Sequence, residues 1–276
     1  MLGEGSQAQA LARDTLIAAI MITINGIVGI CLLVGGSRHM VQSYNQSGVS
    51  VGLAMLATLA VLTLVLPNYT TSAGGAFYAP AQLIFVAIVS LVVYGTFVMA
   101  QTIRHRDHFV HGIGEGEHEH AEPVSRTRAV AAAATGIVAL LAVVLLAKSR
   151  SPMIKSGVAA IGAPKALVGI IIAGLVLAPE GFAALRAARG NKVQLSLNLA
   201  IGSALATIGL TIPAVAAAAL IMGLDLELGL SMRSTVLLAL TLLVATVTLG
   251  TGRTTIVQGV IHLVIFATWL FTTIVP

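Results

Sequence analysis

Long apolar runs, separated by short polar stretches, dominate the chain. Most of these runs reach about 20 residues, the length that a helix needs to cross the ~30 Å hydrocarbon layer of a membrane. Six of them are clear, at 15–36, 76–103, 129–147, 193–224, 234–252 and 254–276. Two further candidates are the shorter run at 49–66 and the run at 156–179, which Pro164 and Lys165 interrupt. The pattern therefore predicts about eight membrane-spanning segments.

These runs are continuous stretches of Leu, Ile, Val and Ala, without the alternation of apolar and polar residues that is typical of barrel strands. Helices and closed barrels are the structures that satisfy every backbone polar group inside lipid. The sequence therefore predicts an all-α fold, a polytopic membrane helix bundle.

Composition supports a membrane protein whose main partner is the lipid bilayer. Hydrophobic residues make up 57% of the 276 residues and charged residues only 9%, whereas soluble domains carry roughly a quarter charged residues. The net charge of +5 is spread along the chain without a dense basic and aromatic run, so we expect no nucleic-acid partner. Cys31 is the single cysteine, which excludes a disulfide within the chain.

One long polar stretch, 105–128, contains five histidines and four glutamates. It predicts a division into a first group of about three spans (1–104), an acidic and His-rich linker (105–128) and a second group of about five spans (129–276). A solvated linker is favoured for this stretch, although His118, Glu119 and His120 could also collect divalent cations.

Basic residues are distributed unequally between the two predicted sides of the membrane. The richer side has nine of them: Arg38, Arg104, Arg106, Arg126, Arg128, Arg186, Arg189, Lys192 and Arg253. By the positive-inside tendency this side is predicted to be cytoplasmic, together with the linker.

Glu180 directly follows the apolar run that ends at Pro179. Acidic residues at membrane depth are costly and generally mark ion or proton pathways. Pro179 lacks an amide hydrogen and Gly181 is permissive, so the helix is expected to break or bend here and to free carbonyls for a cation. In the alternative interpretation Pro179 ends the helix, and Glu180 caps the next helix from the membrane interface.

The run at 193–224 is longer than one straight span needs and contains Pro213, so it predicts a tilted or kinked helix. Its small and hydroxyl residues, Ser203 among them, are those that usually pack helices together in membranes. Asn198 can also supply the hard oxygen ligand that calcium or sodium prefers. In the last run, His262 is interpreted as a hydrogen-bonded packing residue, with a proton relay as the alternative.

Several motifs of the second half resemble the second signature repeat of bacterial calcium/cation:proton antiporters, within the cation/calcium exchanger superfamily. They are Ala178-Pro179-Glu180-Gly181, Asn191, Gln194, Ser196, Asn198-Leu199-Ala200, Gly202-Ser203-Ala204 and Ile208-Gly209-Leu210-Thr211-Ile212-Pro213. Near the N-terminus, Ala12-Arg13-Asp14-Thr15, Met21-Ile22 and Asn25-Gly26 resemble the third helix of the first repeat.

The resemblance implies an inverted-repeat cation exchanger that binds its substrate near the membrane midplane. It implies that Glu180 is the second-repeat carboxylate and cation ligand, that Asn198 and Ser203 belong to the helix around it, and that Thr23 and Asn25 are approximate first-repeat counterparts. In this family about three further helices precede the position of Arg13, one of them bearing the first-repeat glutamate. We therefore expect an incomplete first repeat, and either an N-terminally shortened protein or one that needs a second polypeptide or a second copy.

The predicted function is secondary active antiport without a cofactor, in which calcium, or else sodium or potassium, is exported across the inner (plasma) membrane in exchange for protons. One alternative is a truncated fragment that does not transport. Another is a zinc or nickel exporter that uses the His-rich loop. An intramembrane enzyme is disfavoured because the chain has neither a Gly-x-Ser-x-Gly nor a His-Glu-x-x-His motif.

Overall fold

A computed structural model describes residues 3–101 and 166–275, with a few helical positions between 127 and 138. Within these residues, seven helices are long and apolar enough to cross a membrane. The predicted all-α bundle is confirmed, apart from one ladder of two-residue strands that the sequence did not predict. The predicted linker, most of the predicted span at 129–147 and the first part of the run at 156–179 lie outside the described residues.

The first span is one continuous element that changes its helical pitch in the middle. It consists of α1 (Gly3–Ile20), a π-helical segment (Met21–Ile27) and α2 (Val28–His39). The next element, α3 (Gln46–Ala60), continues through a second π-helical segment (Val61–Val65) and a short 3-10 helix (Leu66–Tyr69). The remaining helices are α4 (Pro80–Met99), α5 (Ala166–Arg189), α6 (Val193–Met222), α7 (Met232–Leu249) and α8 (Ile256–Ile274).

Pro179 does not break α5, and this corrects the helix break or helix end expected at that position. The helix runs on for ten residues beyond Pro179 to Arg189, and α6 likewise contains Pro213 in its interior. A proline removes a single donor from the helix, and neighbouring helices in a membrane bundle can compensate for the freed carbonyl. Glu180 therefore lies within a continuous helix and does not cap a new one.

The loops after α2, α5 and α7 meet at one end of the bundle. There β1 (Gln42–Ser43) pairs antiparallel with β2 (Arg253–Thr254), and Gln42 Nε2 donates to the carbonyl of Ala188 at 3.3 Å. This basic end carries the five described members of the predicted basic side, which are Arg38, Arg186, Arg189, Lys192 and Arg253. The grouping predicted for these five is confirmed, while the other four lie outside the described residues.

At the opposite end, two loops and the start of the first span are joined. The loop at 70–79 meets the loop at 223–231 through a bridge between Phe77 and Glu227. Asn68 Nδ2 donates to the carbonyl of Leu230 at 2.6 Å. Arg13 forms ion pairs with Glu227 and with Asp14, so the first span is tied to the connection between α6 and α7.

The first span is the centre of the bundle. In its most apolar stretch 78% of the residues are buried, against 22% in α4, which lies at the periphery. It packs against α5, α6 and α8. The contact with α8 is so close that a Cβ at Gly259 would lie 2.5 Å from the backbone nitrogen of Leu33. Small residues at this interface let two membrane helices approach backbone to backbone.

Candidate cation site around Glu180

Glu180 lies at the level where α5, α6 and the first span meet. A small buried cluster of Cys31, Ala184 and Ala188 packs against Ile27 and Leu199 and marks this level. The helices α5 and α6 form an antiparallel hairpin. The residue one turn before Ala184 on α5 and the residue one turn after Leu199 on α6 therefore lie at similar depth. These positions are Glu180 and Ser203, so the hairpin brings both predicted residues to the same level.

The π-helical segment reaches the same level from the first span. A Cβ at Gly181 would lie 3.3 Å from Ile27 Cδ1, and Ile27 is the last residue of that segment. π-helical turns inside α-helices are rare and often occur at functional sites. Glu180 is thus next to the point where the central helix departs from regular geometry.

The carboxylate of Glu180 is not satisfied by its described surroundings. Its Oε2 atom is buried and has no hydrogen-bond partner among the described residues. A buried carboxylate oxygen without a donor is costly, and in membrane helices such residues mark ion or proton pathways. A bound cation or a proton is the chemistry that would satisfy it.

The side chain of Gln194 connects Asn198 to the basic end of the bundle. The side chain of Gln194 accepts from the backbone N–H of Asn45 at 2.7 Å and donates to Asn198 Oδ1 at 3.1 Å. Gln194 is 2% exposed, so this connection is shielded from solvent. The predicted site residue Asn198 is therefore linked to the loop before α3.

The small residues of α6 pack as the sequence suggested. Gly209 lies against Tyr94 of α4, where a Cβ would be 2.6 Å from the Tyr94 Cβ. Gly202 faces Phe97 of the same helix, with 3.8 Å between a Cβ at Gly202 and the Phe97 ring. Ser203 is half-buried, and its carbonyl accepts from the Thr207 hydroxyl at 2.8 Å. These glycines let α4 and α6 pack closely.

The two predicted first-repeat positions are both fully buried in the π-helical segment. The hydroxyl of Thr23 donates to the carbonyl of Ala19 at 2.7 Å. Asn25 donates from Nδ2 to Thr241 Oγ1 at 2.8 Å, and its Oδ1 is 3.0 Å from His262 Nδ1. Asn25 therefore points towards α7 and α8, while Ile27 two residues later contacts α5. The structure does not bring the Asn25 amide to Glu180.

His262 is a hydrogen-bonded packing residue, as the sequence suggested. It is completely buried, and its Nε2 is 2.9 Å from Thr248 Oγ1. The sequence reasoning missed Thr241, Thr248 and the bridging role of Gln194. For these three residues the only signal in the sequence was a polar side chain within an apolar helix. In the part of the chain that the structure describes, no three His, Cys, Asp or Glu side chains gather into a metal-binding group.

A helical membrane bundle with a carboxylate oxygen buried between its helices is the arrangement expected of a membrane cation exchanger. The sodium/calcium exchanger protein family matches residues 3–103 and 131–275. The chain belongs to this family.

Two relatives are similar over nearly the whole chain. The putative ionic transporter y4hA of Sinorhizobium fredii (strain NBRC 101917 / NGR234) is 46% identical over 279 residues, which cover 100% of this chain and 75% of that protein. The sodium-potassium/proton antiporter ChaA of Escherichia coli (strain K12) is 34% identical over 281 residues, which cover 99% of this chain and 74% of that protein.

Two solved structures show the same fold at low sequence identity. Native YfkE superimposes with a TM-score of 0.71 at 16% identity, over 99% of this chain and 77% of that one. The H+/Ca2+ exchanger CAX gives a TM-score of 0.71 at 17% identity, over 97% of this chain and 66% of that one. The predicted exchanger fold is confirmed.

Proposed function

We propose that this multi-pass membrane protein is a secondary active antiporter that exchanges a metal cation for protons at Glu180. The observation that carries the proposal is the buried Oε2 of Glu180, which lacks a hydrogen-bond partner among the described residues. Two of the similar proteins support it, since one is a sodium-potassium/proton antiporter and the other an H+/Ca2+ exchanger.

The mechanism rests on competition for one carboxylate. When Glu180 is ionised it attracts a cation, and when it is protonated it is neutral and releases that cation. Since both ions cannot occupy the carboxylate together, exposure of Glu180 to each side in turn couples the two fluxes. Energy stored in one gradient then drives transport of the other ion.

Around this carboxylate, Asn198 and Ser203 complete the coordination or orient Glu180. Thr23 and Asn25 are the polar positions of the first span, in the π-helical segment beside the site. Their side chains bond to Ala19, Thr241 and His262. Carboxylate, amide and hydroxyl oxygens are hard ligands. They suit calcium, with sodium or potassium as the alternative cation. Zinc or nickel would favour thiolate or imidazole ligands instead.

The orientation follows from the basic end. Five described Lys and Arg residues lie there, while Arg13 and Arg233 lie towards the opposite end. By the positive-inside tendency, this distribution supports a cytoplasmic basic end in an inner (plasma) membrane, and the proposed antiport exports the cation from that side.

The test is cation-driven proton movement in everted membrane vesicles, followed with a pH-sensitive dye after addition of calcium, sodium, potassium or zinc. We expect Glu180→Gln to abolish the signal, because a neutral amide cannot exchange a proton for a cation. Glu227→Gln is the matched control, since that glutamate is ion-paired at one end of the bundle. Equal transport by Glu180→Gln and the unaltered chain would refute the mechanism.

The same assay tests whether transport requires an additional N-terminal segment or a second copy of the chain. A version extended upstream is compared with the present chain, and each is also co-expressed with a differently tagged second copy. Activity that appears only in the extended version means that an additional N-terminal segment is required. Co-purification of the two tags in an active fraction means that the working unit is a homo-oligomer.

A further inference from the structure

A second polar network lies beside the π-helical segment, on the side away from Glu180. It connects Thr241 of α7, Asn25 of the segment, His262 of α8 and Thr248 of α7, with distances of 2.8, 3.0 and 2.9 Å between successive partners. Three of these side chains are 0% exposed and Thr248 is 7% exposed. The proposed exchange at Glu180 uses none of these side chains as a ligand, since the Asn25 amide bonds to α7 and α8.

The hydrogen positions in this network follow from its geometry. The Thr241 hydroxyl donates to the carbonyl of Leu237 at 2.7 Å, so its oxygen accepts from Asn25. This orients the Asn25 amide with Nδ2 towards Thr241 and Oδ1 towards His262. The Nδ1 atom of His262 must then carry a hydrogen, and Nε2 lies 2.9 Å from the Thr248 hydroxyl, which is also 2.7 Å from the carbonyl of Val244. Each side chain thus fixes the orientation of the next.

The surrounding backbone leaves this histidine little freedom to move. A Cβ at Gly29 would lie 3.0 Å from Leu263 Cγ and 3.2 Å from His262 Cβ, so α2 and α8 are in close contact at this level. The hydrogen-bond partners of the ring are an amide and a hydroxyl, neither of which could neutralise an imidazolium. The network is built to hold a neutral ring in one orientation.

We propose that His262 is a positioning residue, which together with Thr241 holds Asn25 and thereby keeps the π-helical segment in the geometry that packs beside Glu180. The segment joins the two sides directly: Asn25 bonds to α7 and α8, and Ile27 contacts Gly181 of α5. This inference rests on the proposed cation site at Glu180. In this proposal His262 influences the affinity of the site for its cation and does not carry the transported proton.

The experiment measures the apparent KM and the maximal rate of cation-driven proton release in proteoliposomes with purified protein. Thr241→Val keeps the shape of the side chain but removes the oxygen that accepts from Asn25, and His262→Leu removes the donor to Asn25. We expect each to raise the apparent KM for the cation about tenfold, as loss of supporting contacts around metal sites typically does. His262→Gln retains a donor and an acceptor and should restore most of the affinity.

The double variant provides a second readout. If the two side chains act through Asn25 alone, Thr241→Val and His262→Leu together raise KM no further than either change alone. An unchanged KM in folded Thr241→Val and His262→Leu overturns the proposal. A lower maximal rate with unchanged KM overturns it as well, because it would indicate only a packing role. Should His262→Leu not fold, the shape-preserving Thr241→Val decides the question.

Glu180→Gln, measured in the same preparation, separates this inference from the proposed function. If Glu180→Gln is inactive and the KM of both network variants is normal, only the role of His262 is refuted. If Glu180→Gln transports normally, the mechanism at Glu180 fails, whatever the network variants show.

Discussion

Gly181 of α5 lies against Ile27 of the first span, so closely that a Cβ at Gly181 would be 3.3 Å from Ile27 Cδ1. The absence of a side chain at this position allows the helix that carries Glu180 to lie close to the π-helical segment. A larger residue would have to displace the Ile27 side chain or push the two helices apart at the level of the carboxylate. The spacing of the candidate site therefore depends on the residue that follows Glu180.

Gly181→Leu should reduce cation-driven proton transport strongly, because the leucine side chain occupies the space that Ile27 fills. Overpacking a tight contact typically costs about 1–3 kcal/mol of stability. Gly174→Leu is the matched control, since a Cβ at that position of the same helix has no described atom from another element within 4 Å. Both variants are assayed in vesicles at equal protein level. A similar loss of transport in the two variants would show that any large residue on this face of α5 has the effect, and that the contact with Ile27 is not its cause.

Gln194→Leu should weaken both the fold and transport. The substitution leaves the backbone N–H of Asn45 without its acceptor and removes the donor to Asn198. An unsatisfied buried polar group costs about 1–3 kcal/mol, so the midpoint of thermal unfolding in detergent should fall. Gln82→Leu is the control, because Gln82 is only half-buried and its bond to the Ala79 N–H lies at the helix start. A Gln194→Leu protein as stable as the control would contradict the bridging role.

The Arg13–Glu227 ion pair should stabilise the end of the bundle at which the first span begins. Its side chains are 18% and 30% exposed, so the pair is partly shielded from water. A double-mutant cycle with Arg13→Gln and Glu227→Gln should give a coupling of about 1 kcal/mol, which decreases with added salt. The measurement is thermal unfolding in detergent at low and high ionic strength. Additive effects of the two substitutions would show that the pair contributes nothing.

Two buried tyrosines in loops outside the membrane, Tyr44 and Tyr78, should make the folded protein less stable at alkaline pH. Burial raises the pKa of Tyr44 to about 12 and the pKa of Tyr78 to about 12. In the unfolded chain a tyrosine titrates near pH ~10, so the stabilising preference for the neutral phenol is complete below that pH. It is lost as the pH rises from about 10 towards 12, because only the unfolded state ionises there.

Replacing both tyrosines by phenylalanine should flatten this alkaline decline. The double variant loses the bond from the Tyr44 hydroxyl to the carbonyl of Leu249, at 3.0 Å, and the corresponding bond from Tyr78 to Leu62. It should therefore be less stable at pH ~8 but fall more slowly with pH. Tyr69→Phe is the control, because Tyr69 is 67% exposed. The same slope in the double variant and the unaltered chain would exclude these tyrosines as the cause.

The lengths of the apolar runs predicted six of the seven described spans, because the membrane imposes a minimum length and excludes charge. The seventh, α5, extends ten residues beyond the predicted run at 156–179. The run at 193–224, for example, became α6 at Val193–Met222. The effect of Pro179 could not be predicted in this way. Whether a proline interrupts a helix depends on its packed neighbours, and the sequence shows only that one donor is missing.

The residues around Glu180 were only partly predictable. The motif containing Glu180 and Ser203 indicated the helices that form the site, and their hairpin brings the two residues to one depth. The direction of Asn25 was not predictable, because the π-helical segment changes the angular spacing of its residues and the partners on α7 and α8 are over 200 positions away in sequence. Long-range contacts of this kind leave no local pattern.

The ladder of Gln42–Ser43 with Arg253–Thr254 fastens two hairpin connections, α2–α3 and α7–α8, to each other at the basic end. Gln42 reaches Ala188 and Asn191, and the N–H of Asn45 reaches Gln194, so the connection between α5 and α6 is included. Sliding of α5 along the first span would strain the bonds from Gln42 to Ala188 and Asn191. The basic end therefore opposes sliding of the α5–α6 hairpin against the first span.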